Sequence, residues 1–175
     1  MAYDFRSDAI LGPAFDYWET KRAARAMPRR ADIDPSEITS LLPYLQITEL
    51  IDGGTRMRYR LVGTGIVTAY GAELTGKYFE EVFAGDRLRF IEENYRLMCA
   101  EKRPILVDSR YASRKEVELF CYRLVMPLSE DDTNINQALT AMSFKYPDEA
   151  SQLLGQWLND GMDLDRGSAF CEVIR

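Results

Sequence analysis

The sequence predicts an α+β domain built on a five-stranded antiparallel sheet with helices on one face. Three observations carry that reading. Five segments rich in β-formers fall into a run of two and a run of three. Short polar turns join the segments within each run, which favours antiparallel pairing. Between the runs lies the strongest amphipathic helix of the chain, which has to cross a sheet face to connect them.

In chain order, residues 13–27 (PAFDYWETKRAARAM) form a first helix, with Phe15, Trp18 and Ala26 in an apolar band. Pro13 suits its first turn. Lys21, Arg22 and Arg25 suit the end where the helix dipole favours cations, and Pro28 stops it. Asp34, Pro35 and Glu37 have the spacing of an N-cap, a first helical position and a capping-box partner, so a short helix starts there and ends over 41–45. Residues 46–51 and 56–63 make a hairpin around Asp52-Gly53-Gly54, with Met57, Tyr59 and Leu61 on one face and Arg56, Arg58 and Arg60 on the other. Residues 64–83 read as short helical turns cut by Gly65, Gly71 and Gly76. Over 86–101, Leu88, Ile91, Tyr95 and Met98 recur at helical spacing. The remaining strands are 105–112, 117–126 and 135–144. A last amphipathic helix follows at 147–159, with Leu153, Leu154, Trp157 and Leu158, and then a polar tail read as loose.

The length of 175 residues suits one domain whose core needs no disulfide. With 28 Asp+Glu against 22 Lys+Arg, the net charge of −6 argues against a nucleic-acid binder. The chain has no histidine, which removes Ser–His and Cys–His catalytic pairs, His-ligated haem or zinc and a phosphoaccepting His. Haem through Cys or Met stays formally open. Cys99, Cys121 and Cys171 are odd in number and widely spaced, and read as reduced packing thiols. No basic leader and no apolar run near the roughly 18 residues of a membrane span appear, so a cytoplasmic protein off the membrane is expected.

Several motifs have a functional and a structural reading. Gly63-Thr64-Gly65-Ile66-Val67-Thr68 imitates a dinucleotide fingerprint, but its third glycine position is Thr68 and its strand belongs to a tight hairpin. The structural reading, a sharp exit and a close helix approach, is the stronger. Asp160–Gly167 misses the calcium-loop spacing and reads as a solvated acidic stretch. Lys21, Arg22, Arg25, Arg29 and Arg30 cluster positive charge that a partner's acidic face or a phosphate could meet, or that water solvates. Arg58 and Arg60 need carboxylates only if something covers their face. Arg123 shares a strand face with Leu119, Cys121 and Val125. An arginine there calls for an anion, either a protein carboxylate or a ligand acid group, or for snorkelling along its stem.

The order of elements, and a series of short motifs, resemble a known family. The series runs from Trp18 through Pro28-Arg29-Arg30, Asp32-Ile33-Asp34-Pro35-Ser36-Glu37-Ile38 and Leu42-Pro43 to Tyr59-Arg60-Leu61-Val62-Gly63-Thr64, Tyr70-Gly71, Leu74-Thr75-Gly76 and Met126-Pro127-Leu128. This resembles the short, stand-alone bacterial PAS-domain proteins, over roughly residues 13–145, and the set in order carries the likeness rather than any single motif. The PAS-like core then spans about 30–145, flanked by the helix at about 13–27 and by the helix and tail of 147–175. The resemblance implies a signalling role without catalysis, through a small-molecule ligand or a partner protein. It fixes no ligand, since PAS domains take haem, flavins, small acids or nothing. Neither Cys99 nor Cys121 lies in the motif of the light-sensing flavin type.

The resemblance also implies a homodimer formed through flanking helices, with Phe15, Trp18, Arg22, Arg25 and Trp157 as interface candidates. The alternative packs those helices on their own sheet. A cavity between the long helix and the sheet would be lined by Tyr59, Leu61, Leu88, Ile91, Tyr95, Met98, Tyr111, Cys121 and Arg123. The first reading is a sensory or adaptor module whose output lies in another protein. A small α+β enzyme is the alternative, with Asp108 or Glu118 as acid–base carboxylate, and it requires a carboxylate inside the cavity. A ligand-free interaction domain with a filled core is a third.

Overall fold

The computed structural model describes residues 3–113, 118–145, 162–163 and 169–174. Helix α1 (Leu11–Arg22) precedes strand β1 (Leu45–Ile51), which turns into β2 (Arg56–Val62). Helices α2 (Thr64–Tyr70) and α3 (Gly85–Glu101) lead to β3 (Ile105–Ser113), β4 (Glu118–Leu128) and β5 (Gln137–Lys145). Two short strands follow, β6 (Met162–Asp163) and β7 (Ala169–Val173). Spatial order is β2-β1-β5-β4-β3, all antiparallel, with β6 and β7 both pairing to β3. The first hairpin thus ends at one edge of the sheet and the run β3–β5 begins on the far side of it. The intervening chain must traverse a face, and α3 is what crosses.

The expected strands and long helix fall within two residues of their observed bounds, and the differences elsewhere have physical causes. Helix α1 starts earlier, at Leu11, because the Asp8 carboxylate accepts from the amides of Ile10 (2.8 Å) and Leu11 (2.9 Å) and caps the turn. It ends at Arg22, not residue 27, because Ala23 takes φ 49°. Arg25 is drawn away onto the β4–β5 turn, where its Nε meets Asp132 at 3.1 Å and its Nη2 donates to the Ser129 carbonyl at 3.0 Å. Asp34 caps as expected, accepting from the Ser36 amide, but the helix it opens is a single 3-10 turn, Pro35–Glu37. Glu37 turns to Lys21 and Tyr17 instead of closing a capping box.

The second hairpin strand departs at Leu61. Ile47 faces Leu61 and Thr48 faces Tyr59, so Arg60 is an extra residue that bulges the strand. The bulge ends the alternation, and Leu61 points outward at 45% exposure. Arg58 and Arg60 both meet Glu49, at 2.5 Å and 3.0 Å, as half-exposed surface pairs. Gly63 follows directly, and a side chain there would collide with the backbone oxygens of Leu42 and Pro43, which confirms the structural reading of Gly63-Thr64-Gly65.

The sheet is covered on both faces: α3 crosses one, as expected, and the N-terminal flanking helix α1 packs on the other. Leu45, Ile47, Leu106, Leu124, Met126, Leu128, Leu139 and Ala141 face α1 and its flanking turns. Ile105, Val107, Val125, Ala138, Leu50, Met57 and Tyr59 face α3. Phe15 and Trp18, offered as dimer residues, are 4% and 2% exposed, and the Trp18 indole donates to the Pro127 carbonyl at 2.9 Å. They pack on their own sheet because β4 presents three large apolar side chains on that face, and the Asp8 cap fixes the helix above them.

The sheet gains strands where a loose tail was expected. Ala169–Val173 pairs with β3 from Ser109 to Ile105, and the Ile174 amide donates to the Pro104 carbonyl at 2.8 Å. Phe170 is 66% exposed, while Cys171 and Val173 pack against the α3 core. An open β3 edge would leave a row of ladder groups without partners, and this segment supplies them. The helix expected at 147–159, Trp157 included, lies outside the described residues, as does the Asp160–Gly167 stretch apart from Met162 and Asp163. Among the described residues, no helix is long and apolar enough to cross a membrane.

Candidate functional site

Between α3 and the sheet lies a cavity of about 20 Å³, room for about one water molecule. Its walls come from β1 (Gln46), β2 (Tyr59), α2 (Tyr70), the turn before α3 (Phe79, Phe83), α3 (Ile91, Asn94, Tyr95), β3 (Val107), β4 (Arg123, Val125) and β5 (Thr140, Met142). The aromatic members lock one another. Tyr59 and Phe79 have ring centroids 4.4 Å apart, and Phe79 meets Tyr95 edge-on at 5.5 Å.

The polar members share a logic of period. Strand alternation puts Gln46 and Thr48 on the α3 side of β1, Thr140 on that side of β5, and Arg123 on that side of β4. Helical spacing puts Arg87, Ile91, Asn94, Tyr95 and Met98 on the buried stripe of α3. Gln46 Nε2 donates to Thr48 Oγ1 at 2.8 Å, and Thr48 shares a hydrogen bond with the Tyr95 hydroxyl at 3.0 Å. Gln46 is 2% exposed, and its amide oxygen has no hydrogen-bond partner among the described residues. Arg123 is 7% exposed and donates from Nη2 to the Ser109 hydroxyl at 2.7 Å.

Electrostatics follow from burial. Desolvation raises the Tyr95 phenol above its ordinary value, opposed by the Thr48 hydroxyl, so it stays protonated. Burial pushes the Cys121 thiol up to about 11, against the opposing charge of Arg123, and the Cys171 thiol also to about 11. Thiols held protonated are poor nucleophiles. Among the described residues, no cysteine and no carboxylate lines the cavity.

Of the residues the sequence singled out, Tyr59, Ile91, Tyr95 and Arg123 are brought together at the cavity. Met98 and Cys121 are fully buried nearby without reaching its wall. Leu88 lies one turn off, in a surface recess with Glu80 and Glu92. Leu61 is turned outward by the bulge, and Tyr111 sits in β3 opposite Leu119. Arg22 and Arg25 are half-buried at the end of α1, engaged with Glu19 and Asp132. Asp108 lies on the other face of β3 from Val107, away from the cavity. Glu118 pairs with Ala112 in the β3–β4 ladder. Sequence reasoning missed Gln46, Asn94 and Thr140. The signal was present, since each is a polar residue at a position where the local period requires an apolar one.

Residues 8–143 match the profile of a family described as PAS domain. Among solved structures the chain is similar to a light-oxygen-voltage domain studied with a flavin analogue, at 12% identity and a TM-score of 0.48, covering 71% of this chain and 93% of that one. It is also similar to the light state of the blue-light photoreceptor Aureochrome1 LOV, at 14% identity and 0.44, covering 71% and 97%. A third is a LOV protein of Rhodobacter sphaeroides, at 11% identity and 0.45, covering 62% and 66%. No curated protein matches the chain.

Proposed function

The chain belongs to the PAS-domain family, and from that premise we propose that it is a non-catalytic cytoplasmic sensor whose cavity takes a small molecule through an acid group held by Arg123. The observation that supports this is a buried arginine on the wall of a largely apolar cavity that also presents Gln46, Asn94 and Thr140. A guanidinium presents a fixed fork of donors that matches a carboxylate. The Gln46 amide oxygen suits a hydroxyl or N–H on the same molecule. The cavity holds about one water as it stands, so a larger ligand enters only as α3 and the Phe79–Phe83 turn move outward. That displacement is the signal, and a partner protein or a second copy of the chain reads it. Arg123 binds, Gln46 and Asn94 orient, and Tyr95 with Thr48 closes the polar ring.

A second reading, a ligand-free interaction domain, is favoured by the cavity volume alone. The enzyme alternative required a carboxylate in the cavity, and Asp108 faces the other way. Native mass spectrometry of freshly purified protein, set against its denatured mass, separates the two main readings. The sensor reading expects excess mass or a small carboxylate captured on addition. A clean apo mass that no small carboxylate shifts sinks it and leaves the interaction domain.

A further inference from the structure

A second recess lies where α1 meets the corner between α3 and β3. Its volume is about 350 Å³, within the size range of specific binding clefts. Arg6 and Arg22 line it from the α1 side, and Lys102 and Arg103 from the corner. Phe15, Trp18, Ala26, Pro104 and Ile174 form its apolar part, and Glu19 is its one acid among the described residues. Arg6 is paired with Asp16 and Arg22 with Glu19. Lys102 and Arg103 are exposed and make no ion pair among the described residues. This happens in a chain with six more acidic than basic residues, where acids to neutralise them are plentiful.

We propose that this groove docks an acidic segment of a partner protein, with carboxylates on Lys102 and Arg103 and an apolar side chain over the Pro104–Ile174 floor. The four cations come from three places, the turn before α1, the end of α1 and the α3–β3 corner, and none is buried. A free phosphate would call for donors converging at one desolvated point, whereas an extended chain meets cations spread along an open groove. Opposite charge at such a rim raises the encounter rate and selects the partner. The location also carries the reading. Lys102 closes α3 with φ 53°, its amide bonded to the Met98 carbonyl at 2.9 Å, so a segment seated here touches the end of the helix that covers the cavity. The proposal stands whether or not the cavity takes a ligand.

The test is fluorescence anisotropy with a labelled peptide alternating Glu and Leu, against a matched peptide with Gln in place of each Glu. The Glu peptide should bind, and the Gln peptide should not. Binding should weaken as salt shortens the screening length. Lys102→Glu with Arg103→Glu should weaken it by about tenfold or more, as expected for reversing two exposed charge pairs. Lys102→Gly with Arg103→Ser removes both charges at a backbone angle glycine accepts, and carries the test should the reversed variant misfold. The proposal is overturned by no binding, by equal binding of the two peptides, or by full binding to both variants. It is also overturned if inorganic phosphate at comparable concentration displaces the peptide, which would make the groove a small-anion site.

Discussion

The two faces of one sheet are built to different rules. The face under α1 is mainly apolar, with Leu124, Met126 and Leu128 packed against Phe15 and Trp18. Its principal buried charge, Asp8, is fully satisfied by Tyr3, Ser143, Lys145 and two helix amides. The face under α3 carries Gln46, Thr48, Arg123 and Thr140 from the strands and Arg87, Asn94 and Tyr95 from the helix, all buried. Buried polar groups cost stability unless satisfied, and replacing them with apolar side chains of similar volume often stabilises. Alternating strands present both faces with the same backbone, so the difference is one of side-chain choice. One face is packed mainly with apolar side chains, and the other buries polar groups at a cost in stability.

That contrast can be broken by substitution. The largest effect belongs to the α1 face. Trp18→Ala removes a fully packed indole and its bond to Pro127, and should cost about 4 kcal/mol in a urea titration. Next is Asp8→Ala, which leaves its donors without their acceptor, at about 3 kcal/mol. Burial pushes the Asp8 carboxyl up, but hydrogen bonds from Lys145, Tyr3, Leu11 and Ile10 outweigh it and hold the carboxyl well below the usual range. A folded-state value below the unfolded one adds stability above the ordinary Asp value of about 4 and loses it as pH falls further. Wild-type stability should therefore drop below about pH 4, and the part due to Asp8 should vanish from the profile of Asp8→Asn. On the α3 face, Arg123→Met should change stability by less than about 1 kcal/mol, or raise it, while abolishing capture of any small carboxylate. A large loss of stability there would make Arg123 a structural residue like Asp8. The smallest effect is expected at Leu61→Lys, within about 0.5 kcal/mol, because the bulge has already placed that side chain in water.

The sequence made the α3 face partly legible and the α1 face hardly at all. Periodicity located the long helix and placed Ile91, Tyr95 and Arg123 on buried faces, since α3 and β4 hold one period along their length. Leu61 went astray because a single extra residue, Arg60, inverts the alternation, and nothing in the residue types announces a bulge. The docking of α1 depends on Asp8 meeting Ser143 and Lys145 more than 130 positions away, a contact no local pattern encodes. Strand β7 was hidden by polar surroundings and by the outward Phe170, which masks the inward pair Cys171 and Val173. Cavity volume depends on how Phe79, Phe83 and Tyr59 interlock, which is a matter of tertiary packing.

Amide hydrogen exchange, resolved along the chain, tests the contrast between the faces most directly. Protection reports the free energy of the opening that exposes each amide. The account predicts that the central amides of α1 exchange only by global unfolding, while those of α3 exchange through a smaller, local opening that a captured ligand suppresses. Contradiction would be an α1 that opens as readily as α3, or an α3 as protected as the strands beneath it.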